Sequence, residues 1–304
     1  MCDRIADTIL DDYLKQDKHS RVAIEVLAGH GQINIIGEVS SKSKIDIERL
    51  VKNVYGVNNE KINIKLVEQS IEIARGVDSG GAGDQGIMIG YACDENKELV
   101  PQEYYLARDL CKKIYSHHPA DGKTQITIDN NKIVGIVASW QGVSTADLHE
   151  IVRKWYQKQN CANDMIICLN EAGDWNIGGL EADTGLTGRK IVVDSYGPRV
   201  PVGGGCFSGK DPSKVDRSGA YLARNIAVNY LRKHCAKEVI IKIAYAIGKK
   251  EPIMITGTID NNEISFVGNI WNPKNIIQSF DLYSPIYKQT AEWGAFGNGF
   301  SWDK

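Results

Sequence analysis

The chain has 304 residues, 42% hydrophobic and 24% charged, a balance that supports buried cores and excludes disordered, collagenous and coiled-coil chains. Its 36 basic and 38 acidic residues leave a net charge of −2, so no global field draws it to nucleic acid or to an acidic membrane, and any anion site must be local. No apolar stretch approaches the roughly 18 residues of a membrane span. The N-terminus shows neither a signal nor a transit pattern, and seven cysteines without a C-x-x-C pair disfavour a disulfide framework or structural zinc; a cytoplasmic protein with reduced thiols is expected.

Hydrophobic period and turn residues predict one order of elements three times. The first unit opens with a helix over 3–17, then strands Val22–Ala28 and Gln32–Ser40 around Gly29-His30-Gly31, a helix over Ile45–Val54 and a strand over Lys61–Val67. The second has a helix from Pro101 to Tyr115, strands Lys123–Asp129 and Lys132–Trp140 around Asn130-Asn131, a helix Thr145–Gln159 and a strand Asp164–Asn170. The third has a long amphipathic helix from Asp211 to His234, strands Glu238–Gly248 and Pro252–Ile259, and a short helix near Pro273–Phe280. These predict an α+β fold of three pseudo-symmetric domains, 1–98, 99–176 and 177–304, with antiparallel or mixed sheets and helices on one side.

The connections are unusually rich in Gly, Asp, Lys and Arg. Gly81-Ala82-Gly83-Asp84-Gln85-Gly86 is followed by Ile87–Tyr91, a buried-strand pattern, so it is no Rossmann fingerprint; Asp84 in a glycine-lined turn could approach a cation or a hydroxyl. Asp183-Thr184-Gly185-Leu186-Thr187-Gly188-Arg189-Lys190 delivers a bidentate fork and a point charge side by side before Ile191–Asp194, read as a buried strand. Gly203 to Asp211 nearly matches a Walker A loop, but Asp211 stands where the magnesium-binding Ser or Thr belongs. Asp211-Pro212 instead reads as an N-cap with proline at the first helical position. Free N–H groups at that helix start, with Lys210 and Lys214, would suit a polyphosphate, and Asp216 could hold its magnesium. Taken singly, each of these charges would ordinarily be solvated surface.

Three segments in this order, Gly81–Gly86 (GAGDQG), Gly185–Tyr196 (GLTGRKIVVDSY) and Gly203–Ser218 (GGGCFSGKDPSKVDRS), resemble the signature segments of the S-adenosylmethionine synthetases, and similarity extends over nearly the whole chain. The resemblance implies three similar α+β domains, homodimers or dimers of dimers with sites between subunits, and ATP and L-methionine as substrates. It also implies two Mg2+ and a K+ per site, with the methionine sulfur attacking the ribose C5′ of ATP to expel triphosphate, which the same site cleaves to phosphate and pyrophosphate. By this resemblance Lys210, Arg189 and Lys190 bind phosphates, Asp3 and Asp216 bind magnesium, Glu25 is the potassium ligand and Glu38 contacts methionine. Asp121 and Lys123 fall on the nucleotide side, Asp183 touches both substrates, Lys214 lies near methionine and phosphate, and Cys206 belongs to the binding loop. Asp84 borders the site, and Trp175 stands where the family stacks a phenylalanine on adenine.

Some positions depart from that pattern. Met1-Cys2-Asp3-Arg4 occupies the place of a His-Pro-Asp-Lys segment, so the histidine is absent and the lysine is Arg4. Arg75 replaces a glutamine, Asp174 replaces an arginine, and the two would compensate if they faced one another. The loop from Val77 to Gly81 is shorter than the family's lid. Besides an active synthetase, two readings stay open here: a catalytically impaired homologue serving as a nucleotide-binding regulatory or assembly subunit, and a P-loop nucleotidase.

Overall fold

The computed structural model describes residues 1–56, 60–70, 80–265 and 271–304. The chain divides into two compact units, one of residues 1–100 with 185–304 and one of residues 101–184.

The smaller unit follows the predicted order closely. Helix α3 (Gln102–Tyr115) precedes the hairpin β5 (Gly122–Asp129) and β6 (Lys132–Trp140), then α4 (Thr145–Tyr156) and β7 (Cys161–Leu169). Asn130 and Asn131 sit at φ 46° and 60°, the left-handed pair that a tight hairpin turn needs and that asparagine tolerates. β7 joins β6 in parallel after crossing through α4, giving a mixed sheet in the order β5-β6-β7. Leu110, Ile136, Leu148 and Val152 form the buried seam. Ser144 caps α4 by accepting a hydrogen bond from the Asp147 N–H.

The larger unit holds two four-stranded sheets. In the first, order β3-β2-β1-β8, the hairpin β1 (Arg21–Gly29) and β2 (Gln32–Ser40) is antiparallel and β3 (Lys61–Val67) joins β2 in parallel after helix α2 (Ile47–Tyr55). Helix α1 (Cys2–Gln16) packs its buried stripe of Ile5, Ile9 and Leu10 on β1. The short β8 (Gly185–Leu186) pairs with the other edge of β1. The second sheet runs β11-β10-β9-β4, so β4 (Gly86–Cys93) pairs with β9 (Glu238–Tyr245) from the far end of the chain. Helix α6 (Val215–His234) covers it at close range, since a Cβ on Gly90 would lie 2.0 Å from the Ala223 backbone.

Three local expectations are corrected. Ile191–Asp194 is not a buried strand but a single helical turn, α5, with Val193 61% exposed. Its β-branched run carries strand propensity, but propensity counts only when a partner strand is present. The third segment has an unforeseen strand β11 (Asn262–Ser265) beside β10 (Met254–Ile259), turned by Asp260 and Asn261 at φ 48° and 66°. Here the third strand is antiparallel, unlike its parallel counterparts β3 and β7. Finally, α6 starts at Val215 with Lys214 at the N-cap position, and Asp211 does not cap it. The predicted short helix is present as α7 (Pro273–Ser279), and α8 (Tyr287–Trp293) follows.

The C-terminus is fastened by a buried ion pair. Arg224, 1% exposed, donates to Asp303 Oδ1 at 2.8 Å and to the carbonyls of Tyr91, Glu98 and Leu99. Asp303 also accepts from the N–H groups of Gly297, Asn298 and Gly299. Asp303→Ala leaves the guanidinium charge buried and uncompensated, and a loss of about 3 kcal/mol or more is expected in urea denaturation. Among the described residues no helix is long and apolar enough to cross a membrane.

Candidate active site

One edge of β1 organises the polar centre of the larger unit. At Val22–Ile24 it is paired by the stretch Gly209–Asp211: Ile24 N–H donates to the Gly209 carbonyl at 3.0 Å, and Asp211 N–H donates to the Val22 carbonyl at 2.9 Å. At Val26–Ala28 the same edge is paired by Gly185–Thr187, with Val26 N–H donating to Thr187 Oγ1 at 2.7 Å. Two glycine loops distant in sequence therefore lie end to end on one strand. Gly188 follows at φ 71°, and a Cβ there would sit 2.3 Å from that of Cys206, so this turn admits only glycine. Its N–H donates to Asp3 Oδ1 at 2.8 Å, which places the first turn of α1 against the second loop.

The lysines sit among carboxylates. Lys210 Nζ lies 2.6 Å from Asp216 Oδ2, and Asp216 Oδ1 accepts from the Gly205 N–H at 2.8 Å. Lys214 Nζ bonds Asp211 Oδ2, whose carboxylate also accepts from the N–H groups of Val22 and Ser213. The lysines and N–H groups expected to suit a polyphosphate are held within the protein: Asp216 and Asp211 engage the lysines, and the Gly209 N–H donates to Asp7. The reason is burial, because side chains only 19% and 13% exposed need counter-charges within reach. Burial opposes the Lys210 charge, but the bond to Asp216 outweighs it, with Asp84 adding to the effect, and its pKa ends up raised.

Asp7 and Arg217, which the loop motifs did not single out as site residues, lock this assembly. Both are fully buried, Arg217 NH2 lies 2.6 Å from Asp7 Oδ2, and Arg217 NH1 reaches Asp7 Oδ1 and the Lys210 carbonyl. Asp7 Oδ1 also accepts from the Gly209 N–H, so the pair holds both ends of the Gly209–Lys210 segment. Each is a charge on the apolar stripe of its helix, and Arg217 falls within the Gly203–Ser218 segment, but the motifs mark neither as a site residue.

Around this pair lies an acidic neighbourhood. Burial, opposed by the Gly188 N–H and reinforced by Asp7, raises Asp3. Glu25 lies on the exposed face of β1, and partial desolvation of its carboxyl raises its pKa, which Lys210 pulls back and Asp3 and Glu38 push further. Asp194 is pushed up to about 7 by burial and then by Asp3 and Asp7. Glu38 faces Ala23 across the hairpin. Cys206 Sγ lies 4.0 Å from Glu25 Oε1, and burial pushes its thiol up to about 11, which makes it an inert thiol. Arg189 and Lys190 are exposed just beyond Gly188. The guanidinium of Arg4 turns to Glu292 at 3.6 Å. Among the described residues no group of three or more His, Cys, Asp or Glu side chains is arranged to hold a metal, and both Asp216 oxygens are taken by protein donors.

The raised Asp194 pKa sets a pH dependence with a definite sign. The folded state holds a proton that the unfolded carboxyl releases near pH 4, so stability falls as pH rises from there to about 7. In protein freed of divalent cations, about 2 kcal/mol should be lost between pH 5.5 and 7, and Asp194→Asn should flatten that slope in urea titrations at the two pH values.

The smaller unit carries the other candidates. Asp121 Oδ2 accepts from the Gly179 N–H at 2.9 Å, and its carbonyl accepts from Gln141 N–H. Gln141 Nε2 donates to the Asn176 carbonyl, and a Cβ on Gly178 would meet both Gln141 and the half-buried Trp175 ring. Asp121, Gln141 and Trp175 are thereby brought together, with Lys123 exposed at the start of β5 and Asp183 exposed near the unit's end. Asp174 Oδ1 accepts from the Thr145 N–H and hydroxyl at 2.9 and 2.6 Å, whereas the compensation expected with Arg75 involves a partner outside the described residues. Arg75 and most of the Val77–Gly81 loop lie outside the described residues.

Fold and site together define a protein of three α+β segments whose polar centre pairs glycine turns and lysines with carboxylates. Family models for the N-terminal, central and C-terminal domains of S-adenosylmethionine synthetase match residues 1–79, 79–174 and 177–304. The chain is 38% identical to the S-adenosylmethionine synthase of Wolinella succinogenes, an alignment covering 100% of this chain and 92% of that protein. It also matches the solved structure of an unusual S-adenosylmethionine synthetase from Campylobacter jejuni, with a TM-score of 0.87 and 32% identity over 100% of this chain and 92% of that one. The chain belongs to the S-adenosylmethionine synthetase family.

Proposed function

We propose that this chain synthesises S-adenosylmethionine from L-methionine and ATP in the cytoplasm, as a methionine adenosyltransferase. The methionine sulfur forms a bond to the ribose C5′ while the C5′–O bond breaks, giving a sulfonium and free triphosphate, which water then splits to phosphate and pyrophosphate. The observation that carries this reading is the convergence on one β1 edge of the two loops bearing Lys210 and the Gly188-Arg189-Lys190 turn. A leaving triphosphate accumulates charge, and fixed cations and N–H donors held in place before the reaction stabilise it without reorganisation. In this reading Lys210, Arg189 and Lys190 bind phosphates, Lys214 lies near methionine and phosphate, Glu38 contacts methionine and Asp84 borders the site. Asp121, Lys123 and Trp175 serve the nucleoside, and Asp183 touches both substrates.

The donor chemistry fits hard cations. Asp3, Glu25 and Asp194 are carboxylates whose desolvation and mutual repulsion raise their pKa values, and a bound cation would relieve both effects. Asp3 would hold Mg2+ together with Asp216, whose Oδ2 is released when Lys210 turns from it to the phosphates, and Glu25 would border K+. When bound, these ions would neutralise charge on the phosphates.

A homodimer or dimer of dimers is supported by the first sheet, which leaves Ile36 59% and Leu27 44% exposed beside Glu25 and Glu38, with Ile64 and Val67 exposed on the neighbouring strand β3. The purified chain, incubated with ATP, Mg2+, K+ and methionine, should yield S-adenosylmethionine by chromatography with methionine-dependent phosphate release in parallel. Phosphate release independent of methionine would point to a nucleotidase, and nucleotide binding without either product would point to an impaired subunit.

A further inference from the structure

The smaller unit contains a cleft, its wall largely apolar and its lining residues mostly basic or polar, that the transfer chemistry leaves unused. It is a cavity of about 620 Å³ between the C-terminal halves of α3 and α4, within the size range of small-molecule sites. Trp155 forms part of its wall and is fixed by donating its Nε1–H to Asp109 Oδ2 at 2.7 Å. Around the opening stand Lys113, His117, Lys154 and Lys158, against the single carboxylate of Asp109.

Basic residues near helix C-termini ordinarily complement the helix dipole. That explanation suffices for Lys112 on α3 and for Arg153 on α4, where Glu150 also pairs Arg153 at 2.8 Å and Lys154 at 3.2 Å. It also covers His117, whose Nδ1 lies 3.0 Å from the Lys113 carbonyl in the last turn of α3, but not Lys158, which lies beyond the end of α4. Among the described residues neither Lys113 nor Lys158 makes an ion pair, although both line the cavity. Uncompensated ammonium groups from two helices around one concavity repel each other unless an anion lies between them. A compact, multiply charged anion gains most from such an arrangement, because it meets several cations at once, whereas a flat acidic protein surface would not enter the cleft.

We propose that this cleft binds an oligophosphate anion, free or as the tail of a nucleotide, separately from the phosphate-binding residues of the larger unit. The test is equilibrium binding of two probes, tripolyphosphate and ATP, to the full chain and to the Lys113→Gln/Lys158→Gln variant. Both substitutions are at exposed positions and leave the folded core untouched. The wild-type chain should show two classes of site, and the variant should lose affinity at one of them by about tenfold, within the ceiling of about twenty-five-fold set by two exposed pairings of up to about fivefold each. Turnover at saturating substrates should be unchanged. Loss of the second class with both probes supports a site for free oligophosphate, and loss with ATP alone supports a site for the nucleotide tail. Superimposable isotherms for the two proteins with both probes would overturn the proposal.

Discussion

Lys210→Met should lower kcat by about two to three orders of magnitude, the usual consequence of removing one preorganised donor from a developing anion. The same substitution should cost stability. Asp216, only 5% exposed, would keep the Gly205 N–H but lose its cation, and stranding one partner of a buried pair costs about 3 kcal/mol. The double variant Lys210→Met/Asp216→Asn removes that stranded charge and should recover most of the stability in urea denaturation. The kinetic and structural roles of Lys210 therefore separate: stability returns with the second substitution and turnover does not. A Lys210→Met enzyme turning over within about threefold of wild type would reduce Lys210 to a structural partner of Asp216.

Asp7→Asn should be the most damaging single change away from the lysines. Arg217 is wholly buried, lies over the Tyr287 ring at 4.3 Å and donates to the Tyr221 hydroxyl, so its packing persists while its counter-charge disappears. The carboxamide nitrogen would face a guanidinium donor, and a loss of about 3–5 kcal/mol is expected. Activity should fall as well, because Asp7 and Arg217 hold the Gly209 N–H and the Lys210 carbonyl and so set the position of the Lys210 side chain. Thermal unfolding measured beside steady-state kinetics checks both effects. A midpoint within about 2 °C of wild type would show that Arg217 finds another acceptor.

The elements that were legible in the sequence share a local cause. β3 begins and ends where the alternation of Lys61–Val67 does, and α1 and α3 follow apolar residues at helical spacing. The hairpin turn at Asn130-Asn131 was legible because two consecutive asparagines tolerate positive φ. The failures share a cause too. Ile191-Val192-Val193 has the composition of a strand but no neighbour to pair with, and Asp211-Pro212 has the composition of a helix cap while its carboxylate is drawn to Val22 and Lys214 instead. In both cases a contact distant in sequence, or the lack of one, decided the outcome.

The candidate site divides along the same line. The sequence by itself marked the candidate loops, since glycine turns, adjacent Arg and Lys, and the carboxylates near Lys210 in the chain are properties of short segments. Only the tertiary structure decided that both loops share one edge of β1, that Lys210 and Lys214 are each held by a carboxylate, and that Asp7 meets Arg217 across 210 residues. The physical reason is that backbone conformation responds to neighbours a few residues away, whereas the partner of a buried charge is fixed by desolvation. A charge removed from water must find its counterpart wherever the fold places one.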